Sequence, residues 1–374
     1  MSDISIVTVD AGGNVPPALR LADELARRGH AVTVLGHRRQ DDRVRTAGHR
    51  FRPLESIGFW DSSGSRSMTR AAHEAGRLAS DAALEREAAL LLADQDLAVV
   101  DCLMPTALRA ARMTGVPSVA LFHTYLSFWE RAYRRGPAGS LARVRGTDPL
   151  AEWRRADLRL VVSDGGLDPA SSGGAASGEA TWVGPIESGR PARPDPGPPL
   201  VVVSLSTTWF PAQTDAYQRI ADALGALPVR AVVTLGGRAP DRALRVPSNV
   251  EVRDRADHGE LFGRASLLVG HGGHSTTFRA LAHGVPVLVL PMHPLLDQPA
   301  IGQSIERAGA GRVLPRFARA ERIAAAVTGL LADDEVRRRA GAVGARLRAT
   351  DAAASAAEAL EHLVTARRAD RSAA

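Results

Sequence analysis

At 374 residues, with 45% hydrophobic and 24% charged side chains, the chain exceeds one ordinary domain and can bury two cores of roughly 150–200 residues each. A single cysteine, Cys102, excludes an internal disulfide framework and a cysteine-based metal cluster, and fits a reducing cytosol. The formal charge of +6 rests on 47 basic residues, all arginine and scattered beside Glu and Asp, and only 4% of the residues are aromatic, so no nucleic-acid-binding surface is expected.

The first residues, Met1-Ser2-Asp3-Ile4-Ser5, lead straight into a strand-like run with no basic stretch and apolar region ahead of it, so secretion is not expected and a cytoplasmic location is. Short β-rich runs then alternate with longer stretches of helical period, the signature of βαβ units and a parallel sheet. Strands are expected at Ile4–Val9, Ala31–Leu35, Leu97–Asp101, Val116–Phe122, Leu158–Val162 and Thr181–Val183. The clearest helix is Pro17–Arg28: Leu19, Leu21, Ala22, Leu25 and Ala26 form an apolar stripe, prolines open its first turn and Gly29 closes it. Residues 1–184 thus read as one Rossmann-like domain.

From 185 to 199 the composition turns to Pro, Gly, Ser and Arg, which sustains neither period and reads as an extended linker. Alternation restarts over residues 200–350, with strands at Leu200–Leu205, Arg230–Leu235, Val250–Arg253, Leu267–Gly270 and Val285–Leu290, a second Rossmann-like domain. Its apolar runs are far shorter than the roughly 20 residues that cross a bilayer, so no membrane span is expected. The remaining residues, 351–374, are Ala/Arg-rich and helical, and are expected to pack back on the N-terminal domain. The fold class is therefore α/β, two Rossmann-like domains facing across a cleft, with chemistry sought where the strands end.

The strongest motif lies in the second half. Val269-Gly270 runs into His271-Gly272-Gly273, then His274-Ser275-Thr276-Thr277 and a helical stretch, Phe278–His283. A strand that delivers a glycine turn onto a helix start exposes unpaired amides at the positive end of the helix dipole, where a diphosphate can sit. Ser275 and Thr276 add hydroxyl donors, His271 adds a ring donor, and Gly272 and Gly273 allow close approach to the backbone. His271, His274, His283 and His293 follow no recognised zinc spacing, so no metal is expected.

Together with Ala280-Leu281-Ala282-His283-Gly284-Val285-Pro286 and Asp297-Gln298-Pro299, this segment resembles the glycosyltransferases that decorate natural products, antibiotic and macrolide glycosyltransferases of the GT-B fold that use UDP- or TDP-sugars. The resemblance implies that Asp297 and Gln298 hold vicinal sugar hydroxyls. It also implies that Ser206 and Thr207, in Ser204-Leu205-Ser206-Thr207-Thr208, approach the phosphates. Val183-Gly184-Pro185 matches the entry to the family's linker. Arg255, followed by Ala256, stands where the family stacks a tryptophan on the nucleobase, and a guanidinium can also stack on a base. Arg279 replaces the ribose-binding Glu of plant members, so that contact is not carried over.

In the N-terminal half the resemblance implies a histidine base after the first strand, but Asn14 holds that position in Asp10-Ala11-Gly12-Gly13-Asn14-Val15-Pro16-Pro17, and an amide takes no proton at pH 7. The aspartate that orients the family's histidine is matched by Asp101, fourteen residues before Gly115-Val116-Pro117. Asp101, His123 just past its strand, and Asp10 remain candidate bases, with Asn14 positioning the acceptor. A strand-end Asp that merely caps a helix and a solvated His are the structural alternatives. Acceptor contacts are sought in Ile57–Met68 and Tyr125–Trp129, where Phe59, Trp60, Tyr125, Phe128 and Trp129 can line an apolar pocket or pack the core.

The expected activity is inverting transfer of a hexose or deoxyhexose to a small apolar acceptor, without metal or cofactor beyond the nucleotide sugar. The expected partners are that sugar and a small-molecule aglycone, a homodimer being left open. Two alternatives stand beside it: a non-catalytic nucleotide-sugar-binding protein that activates a partner enzyme, and a GT-B nucleotide-sugar epimerase.

Overall fold

The computed structural model describes residues 1–60, 68–172, 180–205 and 212–373. They form two units, Met1–Ile186 with Asp351–Ala374, and Glu187–Thr350.

The first unit is built on a seven-stranded parallel sheet: β1 Asp3–Val7, β2 Ala31–Gly36, β3 Arg50–Pro53, β4 Leu97–Asp101, β5 Ser118–Phe122, β6 Leu158–Val161 and β7 Ala180–Trp182, in the order β3-β2-β1-β4-β5-β6-β7. Helices cover both faces, which is why all five residues of β4 and of β5 are buried. The order reverses at β1, which pairs with β2 on one side and β4 on the other. The loops that follow β1 and β4 therefore emerge side by side, and they carry Asn14 and Asp101.

The helix expected at Pro17–Arg28 runs from Val15 to Arg27, two residues earlier, with prolines in its first turn and Val15, Ala18, Leu21, Ala22 and Leu25 buried. Gly29 follows at φ +88°, a conformation that costs a residue without Cβ nothing. The last helix, Ala352–Ala373, lies against it: Ala356, Ala357, Leu360 and Val364 join Ile4, Ile6, Leu21 and Leu25 in one apolar cluster. Arg28 clamps the pair, with Nε on Glu24 at 2.8 Å and Nη1 on Glu361 at 2.9 Å.

The second unit carries a six-stranded parallel sheet: β8 Leu200–Ser204, β9 Arg230–Thr234, β10 Val250–Arg253, β11 Leu267–Gly270, β12 Val287–Val289 and β13 Gly311–Val313, in the order β10-β9-β8-β11-β12-β13. It reverses between β8 and β11, where Ser204 pairs with Gly270. The glycine turn after β11 thus emerges at the topological switch point. Two strands were not anticipated, β3 and β13. Both are edge strands of three or four residues with one buried residue each, Phe51 and Gly311, too short and too polar to show a period. The Pro/Gly stretch that composition marks as a linker is irregular but held to the second unit: Ala192 N donates to His283 O and Arg193 N to Gly263 O, each at 2.8 Å, and Asp195 bonds Arg230 and Arg264. Among the described residues no helix is long and apolar enough to cross a membrane.

Candidate functional site

Each unit presents a cluster of chemistry-bearing residues at its switch point. In the second unit β11 ends at Gly270, and Gly272 takes φ +81° to turn the chain onto the helix His274–Ala282. A Cβ on Gly272 would come within 2.8 Å of the Gln298 carbonyl oxygen and of Val289, so the position requires glycine for space as well as for conformation. Gly273 is the N-cap, and the His271 ring lies where its Cβ would stand. The helix has no side-chain cap, and its first intrahelical bond runs from Thr277 N to Gly273 O at 3.1 Å. The amides of Ser275 and Thr276 precede that bond, at the helix end where the dipole favours an anion.

His271 is buried. Burial pushes its imidazole down to about 4, against a smaller opposing pull from the Ser204 backbone, so the ring is neutral at pH 7. Its Nδ1 has no hydrogen-bond partner among the described residues. Ser275 is exposed and Thr276 half-buried. Behind the turn, Gln298 is buried, and its Oε1 accepts from Met292 N at 2.7 Å and from His293 N at 3.0 Å. Its carbonyl therefore fixes the loop after β12, and Asp297, at the N-cap of the helix Gln298–Arg307, is the half-buried member of the pair. Arg255 is exposed, with its guanidinium against Gly237, itself at φ +84°, and Ala256 is half-buried. Ser206 and Thr207 lie outside the described residues.

In the first unit Asn14 is buried and fully engaged. Its Nδ2 donates to Asp101 Oδ2 at 2.6 Å, Val9 O at 2.5 Å and Thr8 Oγ1 at 3.3 Å, and its Oδ1 accepts from Ala11 N at 3.0 Å. Asp101 also accepts from Leu103 N at 2.9 Å, and its Oδ2 lies 3.8 Å from His123 Nδ1. The two most promising base candidates thus stand together, while Asp10 shapes its own turn: Oδ1 accepts from Gly12 N at 3.4 Å and its carbonyl from Trp60 Nε1 at 2.7 Å.

The aromatic candidates divide by exposure. Trp60, Tyr125 and Phe128 are buried, whereas Phe59, under the Arg77 guanidinium at 3.8 Å, and Trp129 are partly exposed. His123, Trp129 and Tyr133 form a continuous row of rings, with centroids 5.5 Å and 6.0 Å apart. His123 Nδ1, Trp129 Nε1 and the Tyr133 hydroxyl are all buried without a hydrogen-bond partner among the described residues. Such orphans cost about 1–3 kcal/mol each, so three in one row mark a place built to receive a polar group.

Tyr133 escaped sequence reasoning, because only the packing of the helix Leu126–Arg135 brings it to the end of β4, and Cys102, which directly follows β4, was read only as a lone cysteine. Burial pushes the Tyr133 phenol well above its usual value, with smaller contributions from Cys102 and Asp101. Burial, reinforced by Asp101, likewise raises the Cys102 thiol. Ligand-type atoms of Asp101, Cys102 and His123 lie within 4.8 Å of one another, the set that could hold a cation. The protonated thiol and the bonds already made to both Asp101 oxygens suit a carboxylate–imidazole pair better than a metal cage. In the Pro/Gly stretch, Glu187 is buried beside the helix His274–Ala282, its Oε2 4.0 Å from His274 Nδ1.

With this geometry in place, comparison with known proteins is informative. Residues 218–364 match the family described as erythromycin biosynthesis protein CIII-like, C-terminal domain. The chain is 33% identical over 175 residues to the demethyllactenocin mycarosyltransferase of Streptomyces fradiae, covering 46% of this chain and 37% of that one. It is 29% identical over 267 residues to the tylactone mycaminosyltransferase of the same organism, covering 65% and 59%. The matches thus span less than two thirds of either relative's length. The crystal structure of CalG4, a calicheamicin glycosyltransferase, superimposes with a TM-score of 0.78 at 24% identity, covering 98% of each chain. Residues 218–364 are thus similar to the EryCIII-like C-terminal domain family, and the chain as a whole has the two-domain α/β GT-B fold.

Proposed function

We propose that the protein is an inverting glycosyltransferase that moves a hexose or deoxyhexose from a TDP- or UDP-sugar to a small, largely apolar acceptor. The observation that carries this reading is the glycine turn after β11, which leads at the switch point of the sheet onto a helix start with no side-chain cap at Gly273. The amides of that helix start and the neutral His271 ring would take the negative charge that grows on the β-phosphate as the glycosidic C–O bond breaks, so leaving-group stabilisation needs no divalent cation. On the acceptor side His123 would remove the hydroxyl proton while Asp101 steadies the resulting imidazolium, and the acceptor oxygen would attack the anomeric carbon in line. Asn14 then serves as a positioning amide that fixes Asp101. The rings of Phe59 and Trp129 are the candidate acceptor contacts, and Arg255 the nucleobase platform.

Calorimetric titration with TDP and with UDP, without acceptor, tests the donor assignment. Saturable binding of at least one is expected; heat from neither would remove the assignment. A second reading, a nucleotide-sugar-binding protein that activates a partner enzyme, draws on the complete engagement of Asn14 where relatives carry a base. It requires nucleotide binding with no turnover even when His123 and Asp101 are intact.

A further inference from the structure

We propose that Asn14 is a positioning residue that sets the tautomer of His123: it holds Asp101 beyond hydrogen-bond reach of the ring, which takes the form a base needs only when the Asn14–Asp101 bond opens. The inference rests on the reading of His123 as the base of the acceptor site and deepens it by naming the residue that governs when that base is competent.

Asn14 is the N-cap residue of the helix Val15–Arg27, yet its side chain makes no bond to that helix. Its amide is turned the other way, and the backbone dictates how. Ala11 N donates to Oδ1 at 3.0 Å, which fixes Nδ2 on the side of Asp101. The two Nδ2 protons go to Val9 O at 2.5 Å and to Asp101 Oδ2 at 2.6 Å, with Thr8 Oγ1 at 3.3 Å a weaker third contact. Asn14 is 1% exposed, so these bonds are shielded from solvent.

Asp101 is thereby held at both oxygens, Oδ1 by Leu103 N at 2.9 Å and Oδ2 by Asn14, which ties the carboxylate to the loops after β4 and β1. Held this way, Oδ2 stops 3.8 Å from His123 Nδ1, about 1 Å too far for an N–H···O bond. Nδ1 is buried without a partner among the described residues. The neighbours of the ring offer no substitute. The Cys102 thiol lies within 4.8 Å and is kept protonated by burial, and Trp129, edge-on to the ring with centroids 5.5 Å apart, carries a donor and no acceptor.

A neutral imidazole carries one proton, and the hydrogen bond made by one nitrogen decides which of the two holds it. With Nδ1 buried, Nε2 is the nitrogen left to take a proton from an acceptor hydroxyl, and it can do so only while Nδ1 holds the ring's own proton. A bond from Nδ1–H to Asp101 would fix that form. At 3.8 Å the bond is unmade, a proton on Nδ1 would be buried without an acceptor, and the ring favours Nε2–H, which donates where a base must accept. Opening of the Asn14–Asp101 bond frees Oδ2 to close on Nδ1.

The test is nitrogen NMR of the histidine rings in the whole protein without ligand, at about pH 9, where an ordinary imidazole is neutral. The His123 signals are assigned by their loss in His123→Gln. In the wild type the proton is expected on Nε2. In Asn14→Ala the ratio of the Nδ1–H form to the Nε2–H form is expected to rise at least about tenfold, the effect of one hydrogen bond to a carboxylate. In an Asp101→Ala background the same Asn14→Ala change is expected to leave the ratio where it was, because the effect runs through that carboxylate, whereas loosened packing would move the ring in both backgrounds. A wild-type ring already protonated on Nδ1, an Asn14→Ala ring that stays as Nε2–H, or a shift that survives in the Asp101→Ala background would each overturn the proposal. Should Asn14→Ala fail to fold, Asn14→Ser, whose hydroxyl arm is one bond shorter than the amide, replaces it with the same expectation. Transfer by His123→Gln at the wild-type rate would remove the base reading, and the role of Asn14 with it, whatever the ring spectra show.

Discussion

Both sheets reverse their strand order beside their first strand, at β1/β4 in one unit and β8/β11 in the other, yet the two reversal points offer opposite kinds of chemistry. After β11 the feature is built from backbone, a helix start without a side-chain cap reached through glycines that have no room for a side chain. After β4 the backbone is closed: Asn14 and Asp101 bond to each other and to neighbouring main-chain atoms, and among the described residues the polar atoms without a partner there are buried side-chain atoms of His123, Trp129 and Tyr133. A diphosphate, the proposed ligand there, presents the same oxygens whatever sugar it carries, so a backbone nest would suffice for it. An acceptor varies in shape and polarity, and side chains are the part of a fold that can vary with it.

This contrast breaks first at His271. Its buried ring is held neutral, so one ring nitrogen carries a proton to donate while the other can only accept. Replacing it with Ala is expected to lower transfer at least about a hundredfold, the usual cost of losing one preorganised donor to a developing charge. Steady-state assay beside a TDP titration checks this. A variant with unchanged turnover would mean that the helix amides act alone and that the ring is packing.

The same contrast explains what could be read from the sequence. Strands such as β4 and β8 were legible because burial on both faces demands an unbroken apolar run, and the turn after β11 was legible because its backbone conformation and crowding demand glycine. A backbone-built feature leaves its mark in consecutive residues. A side-chain cluster does not: Cys102, His123, Tyr133 and Asp101 come from two strand ends and a helix, and nothing in the spacing of 101, 123 and 133 announces that they meet. Glu187 was illegible for a third reason. A segment of Pro, Gly and Ser has no period from which burial can be inferred, and its fixed position depends on the close approach at Gly189.

A middle-sized effect tests whether the first unit's backbone is closed as described. Asn14→Asp keeps the acceptor for Ala11 N but loses every donation from Nδ2 and sets a carboxylate against Asp101 Oδ2 and the Val9 carbonyl. At neutral pH the variant should lose about 2 kcal/mol of unfolding free energy. The sign with pH is fixed by the pair. Two facing carboxylates raise the folded-state pKa of one of them above its unfolded value, so the deficit is largest at neutral pH and shrinks as pH falls and a proton is shared between them. Thermal unfolding of both proteins at neutral and mildly acid pH reads this directly. A deficit independent of pH would assign the loss to packing rather than to charge.

The smallest effect carries the sharpest distinction, because it compares a polar group that has partners with one that has none. Removing a paired buried group costs a hydrogen bond, whereas removing an orphan removes only a desolvation penalty already incurred on folding. Tyr133→Phe deletes a buried hydroxyl with no partner among the described residues and leaves the ring packed between Trp129 and Trp153. The variant is expected to be as stable as the wild type or more stable by up to about 1 kcal/mol. Denaturant unfolding with equal m-values checks this. A loss of more than about 1 kcal/mol would mean that the hydroxyl is satisfied in the resting protein, by water or by a neighbour, and that the row of rings is a finished core rather than a site awaiting an acceptor oxygen.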